Sequence, residues 1–254
     1  MRTTTRLFDA FWAAGVSSPL EIVEQISHLL YLRELDGVQE LWELEAVRQE
    51  APERAPVFAQ DEQHLRWSRL IRLTPQRMYT SMTDEVFPWL RSHAFAELAY
   101  SQHVNDARFA IPTPSLLAKV VGLLEEVLTA GDANAGGLYE HLLARVATAG
   151  PFGAFRTPPH LAALMAAMTE PGAADEVCDP TCGMGGLLTA AARFIHRSEP
   201  DIAQRSAAER GRIHGSDFDT TMLRLSSMRL ALQGFEGADL RYRDNLAEGA
   251  GSGE

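Results

Sequence analysis

The stretch Val177-Cys178-Asp179-Pro180-Thr181-Cys182-Gly183-Met184-Gly185-Gly186-Leu187-Leu188 decides how the rest of the chain is read. Its beginning suits a short buried strand, its middle a tight turn, and its end a helix running on through Phe194 and Ile195. Gly183, Gly185 and Gly186 let the backbone fold sharply and let a ligand approach without a Cβ in the way. Asp179 falls at the carboxyl end of the strand, where open α/β sheets place their ligands.

Working outward, the segments on either side alternate strand and helix. Thr157-Pro158-Pro159 starts a helix through Met168. A strand over 176–179, a helix over 186–196, a strand over 212–217, a helix over 220–233 and a strand over 239–243 follow. Alternation at these lengths predicts parallel strands joined by crossover helices. Before residue 150 no segment alternates apolar and polar residues like a strand. Ile22, Ile26, Leu29 and Leu30 recur at helical spacing after Ser18-Pro19, an N-cap followed by proline. Leu116, Leu117, Val120, Val121, Leu124, Val127 and Leu128 do so after Pro114, and Leu138, Leu142, Leu143 and Val146 further on. The expected organisation is an all-helical domain over 1–150 and an α/β domain over 151–254.

Composition narrows the class. The 254 residues are 46% hydrophobic, enough to bury a core, and no apolar run approaches the ~18 residues of a membrane span. Met1 leads straight into an amphipathic pattern, so a cytoplasmic protein is expected. The net charge of −11 includes no block of lysine and arginine, so any grip on nucleic acid has to come largely from a partner. Cys178 and Cys182 suit neither a disulfide framework nor a zinc site. Cys178 is expected in the core and Cys182 in the turn. His160 and His214 have no partners at metal-ligand spacing, and Trp67, Trp89 and Phe109 read as helical core.

A glycine-rich turn after a strand is by itself unspecific. Here no Lys-Ser or Lys-Thr follows the glycines, which excludes a P-loop, and the Gly-x-Gly-x-x-Gly of pyrophosphate binders is absent. The second strand ends in Gly215-Ser216-Asp217-Phe218-Asp219, an acid placed to take a ribose diol. Together these favour an adenosine ligand without phosphate, S-adenosylmethionine.

Asp179-Pro-Thr-Cys-Gly-Met-Gly-Gly-Leu-Leu188 closely resembles the cofactor motif of the adenine-N6 DNA methyltransferase (modification) subunits of type I restriction–modification systems. Gly153-Ala-Phe-Arg-Thr-Pro-Pro-His160 resembles the family's Gly-x-Phe-Tyr-Thr-Pro segment, with Arg156 in place of an aromatic. Gly215 to Asp219, Leu223 to Gly234 and Asp239 to Leu246 resemble its later elements. Ala107-Arg-Phe-Ala-Ile-Pro112 and Leu138-Tyr-Glu-His-Leu-Leu143 resemble its helical domain. The resemblance implies an α plus α/β chain: a helical assembly and DNA-clamp domain, then the first half of a Rossmann-like methyltransferase fold, with three parallel strands and a stop before the fourth.

The resemblance also implies roles. Asp179 would accept from the methionine ammonium, with Pro180 and Cys182 in the same turn. Gly183, Gly185 and Gly186 would lie against the cofactor, and Thr157 would reach the methionine carboxylate. Asp217 would hold the ribose, Phe218 would pack on the adenine, and Asp244 would accept from the adenine amino group. Asp217 and Asp219 equally suit an N-cap for the helix at Thr220, Asp244 a turn, and Thr157 a cap.

The implied partners are double-stranded DNA held through a complex, a DNA-specificity subunit and a second methyltransferase subunit, with a restriction subunit or a chain carrying the rest of the catalytic domain. The family's Asn-Pro-Pro-Phe/Tyr catalytic segment is missing. Asn105, Asn134 and Asn245 are followed by Asp106, Ala135 and Leu246. The chain alone is therefore expected to be inactive. The other reading is a non-catalytic assembly or regulatory module.

Overall fold

The structure, a computed structural model, describes residues 2–47, 56–92, 100, 103–104, 107–129, 134–148, 157–198, 212–235, 237–245 and 247. The chain divides into two compact units, Met1–Phe95 with Asn105–Ala135, and Ala96–Val104 with Gly136–Glu254.

The first unit is helical throughout its described residues: α1 (Arg2–Ala13), α2 (Pro19–Val47), α3 (Trp67–Leu70), α4 (Pro75–Ser81), α5 (Phe87–Ser92) and α6 (Pro114–Thr129). Ser18 caps α2 as its position suggests, its hydroxyl accepting from Glu21 N at 3.3 Å. From Ile22 to Leu32 α2 buries nearly every residue rather than one face, which makes it the central helix of the unit. It runs on to Val47, its polar residues holding the next segment. Gln39 accepts from Val57 N at 2.8 Å, and Asp36 accepts from Ser68 N at 2.7 Å and from Arg66 Nε at 2.5 Å. Between α4 and α5 the helix widens to a π-turn over Met82–Val86. Pro88 lacks an N–H and its ring crowds the preceding turn, and the wider turn accommodates both. Trp67 and Trp89 are buried, and Phe109 packs against Tyr79 and Phe87.

In the second unit, α7 (Ala135–Thr148) and α8 (Pro159–Thr169) lead into β1 (Val177–Asp179). Then come α9 (Gly186–Ser198), β2 (Ile213–Asp217), α10 (Thr220–Ala231) and β3 (Asp239–Tyr242). The strands form one parallel sheet in the order β1-β2-β3. Leu188 and Ala192 of α9 and Leu223 and Leu230 of α10 pack with Ile213 and Leu240 of the sheet. A Cβ at Gly215 would lie 2.7 Å from Leu240 and 2.8 Å from Leu188, so this close packing requires glycine in the middle of β2.

The two units part near residue 135, since α7 packs with α10 through Glu140 and Arg229, oppositely charged residues too far apart in sequence for a local pattern to reveal. Two expectations need correcting. Cys178 is exposed rather than in the core, since alternate residues of a strand face opposite ways and it shares with His214 and Ser216 the face turned away from the core packed by α9 and α10. Thr157 does not cap α8. Pro158 is the residue at its N-cap, with no side-chain cap bond.

Candidate functional site

The glycine-rich turn sits between the carboxyl ends of β1 and β2. Cys182 N donates to Ser216 O at 2.9 Å, tying the turn to β2, and Gly185 N closes it onto Cys182 O at 2.8 Å. Gly183 and Gly185 take φ of 50° and 68°, which a side chain resists. The three glycines prove to serve different purposes. A Cβ on Gly185 would lie 2.3 Å from Ser226 Oγ, and one on Gly186 would lie 3.4 Å from an Arg229 guanidinium nitrogen. Gly185 therefore makes room for α10, whereas a Cβ on Gly186 would only reach ordinary van der Waals contact with it. Only Gly183 has open space where its Cβ would stand.

Two carboxylates frame that space. Asp217 accepts from Gly183 N at 2.9 Å through one oxygen and from Asp219 N at 3.0 Å through the other. The helix-capping role falls to Asp219, which accepts from Thr221 N at 2.8 Å. Asp179 accepts from Thr181 N at 3.1 Å. Burial pushes the Asp179 carboxyl above its ordinary 3.8; the Thr181 bond opposes this and the neighbouring Asp217 charge adds to it. Such a carboxylate is stabilised by a cationic group placed beside it. Burial, then Asp179 and Asp217, push the Cys182 thiol up to about 12, so it stays protonated and is no nucleophile.

The structure brings Asp179, Pro180, Cys182, Gly183, Gly185, Gly186 and Asp217 into one turn. Phe218 follows Asp217 and is 71% exposed, and Tyr242, the register partner of Asp217, is 68% exposed. Asp244 is exposed beyond β3, on a segment tied to the turn by Asn245, whose amide donates to Pro180 O at 2.5 Å and to Ser216 Oγ at 2.6 Å. Among the described residues no hydrogen bond links half-buried Thr157 to the turn, and residues 153–156 of its motif lie outside them.

Sequence reasoning missed the supports beneath the turn. Arg229 is 4% exposed; its fork donates to both Glu140 carboxylate oxygens at 2.7 Å, and its remaining nitrogen donates to Met184 O at 3.1 Å. Ser226 is fully buried under Gly185. The available signal was Arg229 lying on the same helix face as Leu225 and Met228, which the structure buries.

Two cavities lie elsewhere. One of about 370 Å³ opens on the other face of the sheet, beside Cys178, His214, Ser216, Asp239 and Arg241. One of about 710 Å³ lies in the helical unit beside His64, Arg69 and Arg77. Among the described residues no group of three or more His, Cys, Asp or Glu could hold a metal ion, and no helix is long and apolar enough to cross a membrane.

The comparisons with known proteins agree with this architecture. Residues 131–250 match the N-6 DNA Methylase family and residues 5–124 the HsdM N-terminal domain. The methylase subunit of the type I restriction enzyme EcoEI from Escherichia coli is 24% identical over 88% of this chain and 46% of its own length. The HindI methylase subunit from Haemophilus influenzae is 32% identical over 40% of this chain and 22% of its own. A solved modification subunit of a type I restriction enzyme from Vibrio vulnificus superposes with a TM-score of 0.65 at 20% identity, over 96% of this chain and 54% of that one. A chain from a type I restriction–modification complex gives 0.68 at 20% identity, over 95% and 51%. These solved chains share the fold, a helical region followed by a Rossmann-like sheet. The chain spans about half the length of the EcoEI relative and of both solved chains. With the HsdM N-terminal domain in front and the N-6 DNA Methylase domain behind, it belongs to the family of type I restriction–modification methylase subunits.

Proposed function

We propose that this chain is the S-adenosylmethionine-binding portion of a site-specific adenine-N6 DNA methyltransferase and transfers no methyl group by itself. The observation that carries the reading is the half-buried Asp179 carboxylate, which feels the charge of Asp217, in a turn where Asp217 accepts from Gly183 N and Gly183 has open space beside it. The residues fit the cofactor: a partly desolvated acid for an ammonium, a second acid for a ribose diol, an exposed aromatic for a base, and clear space beside Gly183.

When bound, the cofactor supplies an electrophilic methyl group. Asp179 would hold its ammonium, Thr157 its carboxylate and Asp217 its ribose, using lone pairs left by the two backbone bonds. Phe218 would cover the adenine, and Asp244, on the segment anchored by Asn245, would accept from its amino group. Pro180, Cys182, Gly185 and Gly186 shape the wall. Cys182 stays a neutral thiol and takes no part in transfer.

The acceptor side has to come from polypeptide bearing an Asn-Pro-Pro-Phe/Tyr segment, which this sequence does not contain. There the flipped adenine would present its amino group. Its docking place in this reading is the free edge of β1 with the outer face of α8. α8 buries Ala162 and Ala166 and exposes Leu161, Leu164, Met165 and Met168. With a net charge of −11, the chain relies for its hold on double-stranded DNA on a specificity subunit and a second methyltransferase subunit, in a complex to which a restriction subunit adds cleavage. The helical region is the proposed assembly module, and the cytoplasm the proposed location.

The test is transfer of labelled methyl groups into duplex DNA. The chain alone should transfer none, and should do so when supplied with the complementary half of the methylase domain. Transfer by the chain alone would overturn the proposal, as would failure of the purified chain to bind S-adenosylmethionine.

A further inference from the structure

Arg229 is a buried charged side chain of the second unit. It is 4% exposed on a helix that also buries Leu225, Met228 and Leu230. An apolar residue at such a place commonly serves stability as well or better than a buried ion pair. The pair with Glu140 therefore calls for a reason other than stability, and the third nitrogen of the fork gives one. It donates to the carbonyl of Met184, between the glycines of the turn. That bond fixes the Met184–Gly185 peptide from one side, while Gly185 N is held by Cys182 O from the other.

Glu140 holds Arg229 in place from α7. Each carboxylate oxygen accepts one 2.7 Å bond from the fork, and Gln233 Nε2 adds a third at 2.9 Å. A bidentate, charge-assisted pair fixes orientation as well as distance. The Glu140 side chain is about one-fifth exposed, so the pair is only lightly screened. The chain of contacts runs from α7 through Glu140 and Arg229 to Met184 O, without touching Asp179, Asp217 or Phe218.

We infer that Glu140 and Arg229 are positioning residues that set the glycine-rich turn for the amino-acid end of the cofactor, so that α7 governs cofactor affinity. This rests on the S-adenosylmethionine reading above. The adenosine end, served by Asp217 and Phe218, should be indifferent to the pair.

That asymmetry provides the test. Glu140→Gln keeps the shape of the acid and removes its charge; Arg229→Lys keeps the charge and removes the fork, and is the milder change should the first fail to fold. Each purified full chain is titrated with S-adenosylmethionine and with 5′-methylthioadenosine, which lacks the amino-acid end. The expected result is a loss of roughly tenfold or more for S-adenosylmethionine, the scale of one well-placed hydrogen bond, and less than about twofold for 5′-methylthioadenosine. Hydrogen exchange at Gly183 to Gly186 should quicken in both variants before any ligand is added. Equal losses for both ligands, which general destabilisation would give, or unchanged affinity and exchange, would overturn the inference. A wild-type chain that binds neither ligand would instead overturn the cofactor reading, and this inference with it.

Discussion

The turn after β1 and the helix before it are finished differently. The glycine-rich turn is braced from several sides: Ser216 O and Asp217 from β2, Ser226 and Arg229 from α10, Glu140 behind them. Packed on α9, α8 turns alanines inward and places Leu161, Leu164, Met165 and Met168 outward, 43%, 53%, 49% and 76% exposed. A helix settled in its final surroundings does the reverse. The turn is thus held by its own packing, while α8 presents an apolar face outward.

The most damaging way to break the braced side is Gly185→Ala. Its φ of 68° and the 2.3 Å approach to Ser226 Oγ act together, so a loss of about 3 kcal/mol or more by denaturant melting and no measurable cofactor binding are expected. Gly183→Ala has open space around it and should cost only about 1–2 kcal/mol, yet weaken cofactor binding at least as much as it weakens the fold.

Asp179→Asn separates binding from stability. Burial raises the pKa of Asp179, so the folded chain holds that proton more tightly than the unfolded one. Stability therefore falls as pH rises from the ordinary 3.8 through the raised value, and the carboxylate form is the less stable one at neutral pH. The asparagine variant should lose that slope and be at least as stable at pH 7. Cofactor affinity should run the other way in the wild type, rising with pH through the same window as the carboxylate ionises for its ammonium partner.

On the uncovered side, Leu164→Glu with Met168→Glu should change stability by no more than about 0.5 kcal/mol, because both positions are exposed. The same pair should abolish association with the complementary half of the methylase domain in a pull-down of purified chains. The smallest effect is chemical. Iodoacetamide at pH 8 should label exposed Cys178 and leave Cys182, protonated to about 12, unlabelled by mass spectrometry.

Much of this was legible in the sequence because it is written locally. The Asp179 to Leu188 motif, the strand–helix alternation after 170 and the Ser18-Pro19 cap are short-range patterns, and each element formed within a few residues of its expected place. What could not be read depends on contacts between distant residues. Gly185 looks like a ligand-facing glycine until Ser226 of α10 is seen beneath it. Glu140 reads as one acid among many until Arg229, far along the chain, closes on it. α2 shows one apolar stripe, yet the unit wraps all round it, and the outward face of α8 is visible only once its alanines have chosen α9. The exposure of Cys178 likewise follows from which face of the sheet the helices cover.

The central claim is that the turn around Asp179 holds S-adenosylmethionine within this chain. Calorimetric titration of the purified 254-residue chain with S-adenosylmethionine tests it most directly, alongside Asp179→Ala. The account predicts saturable one-to-one binding in the wild type and its loss in a variant that still melts cooperatively. No binding by a folded wild-type chain, or equal binding by both, would contradict it.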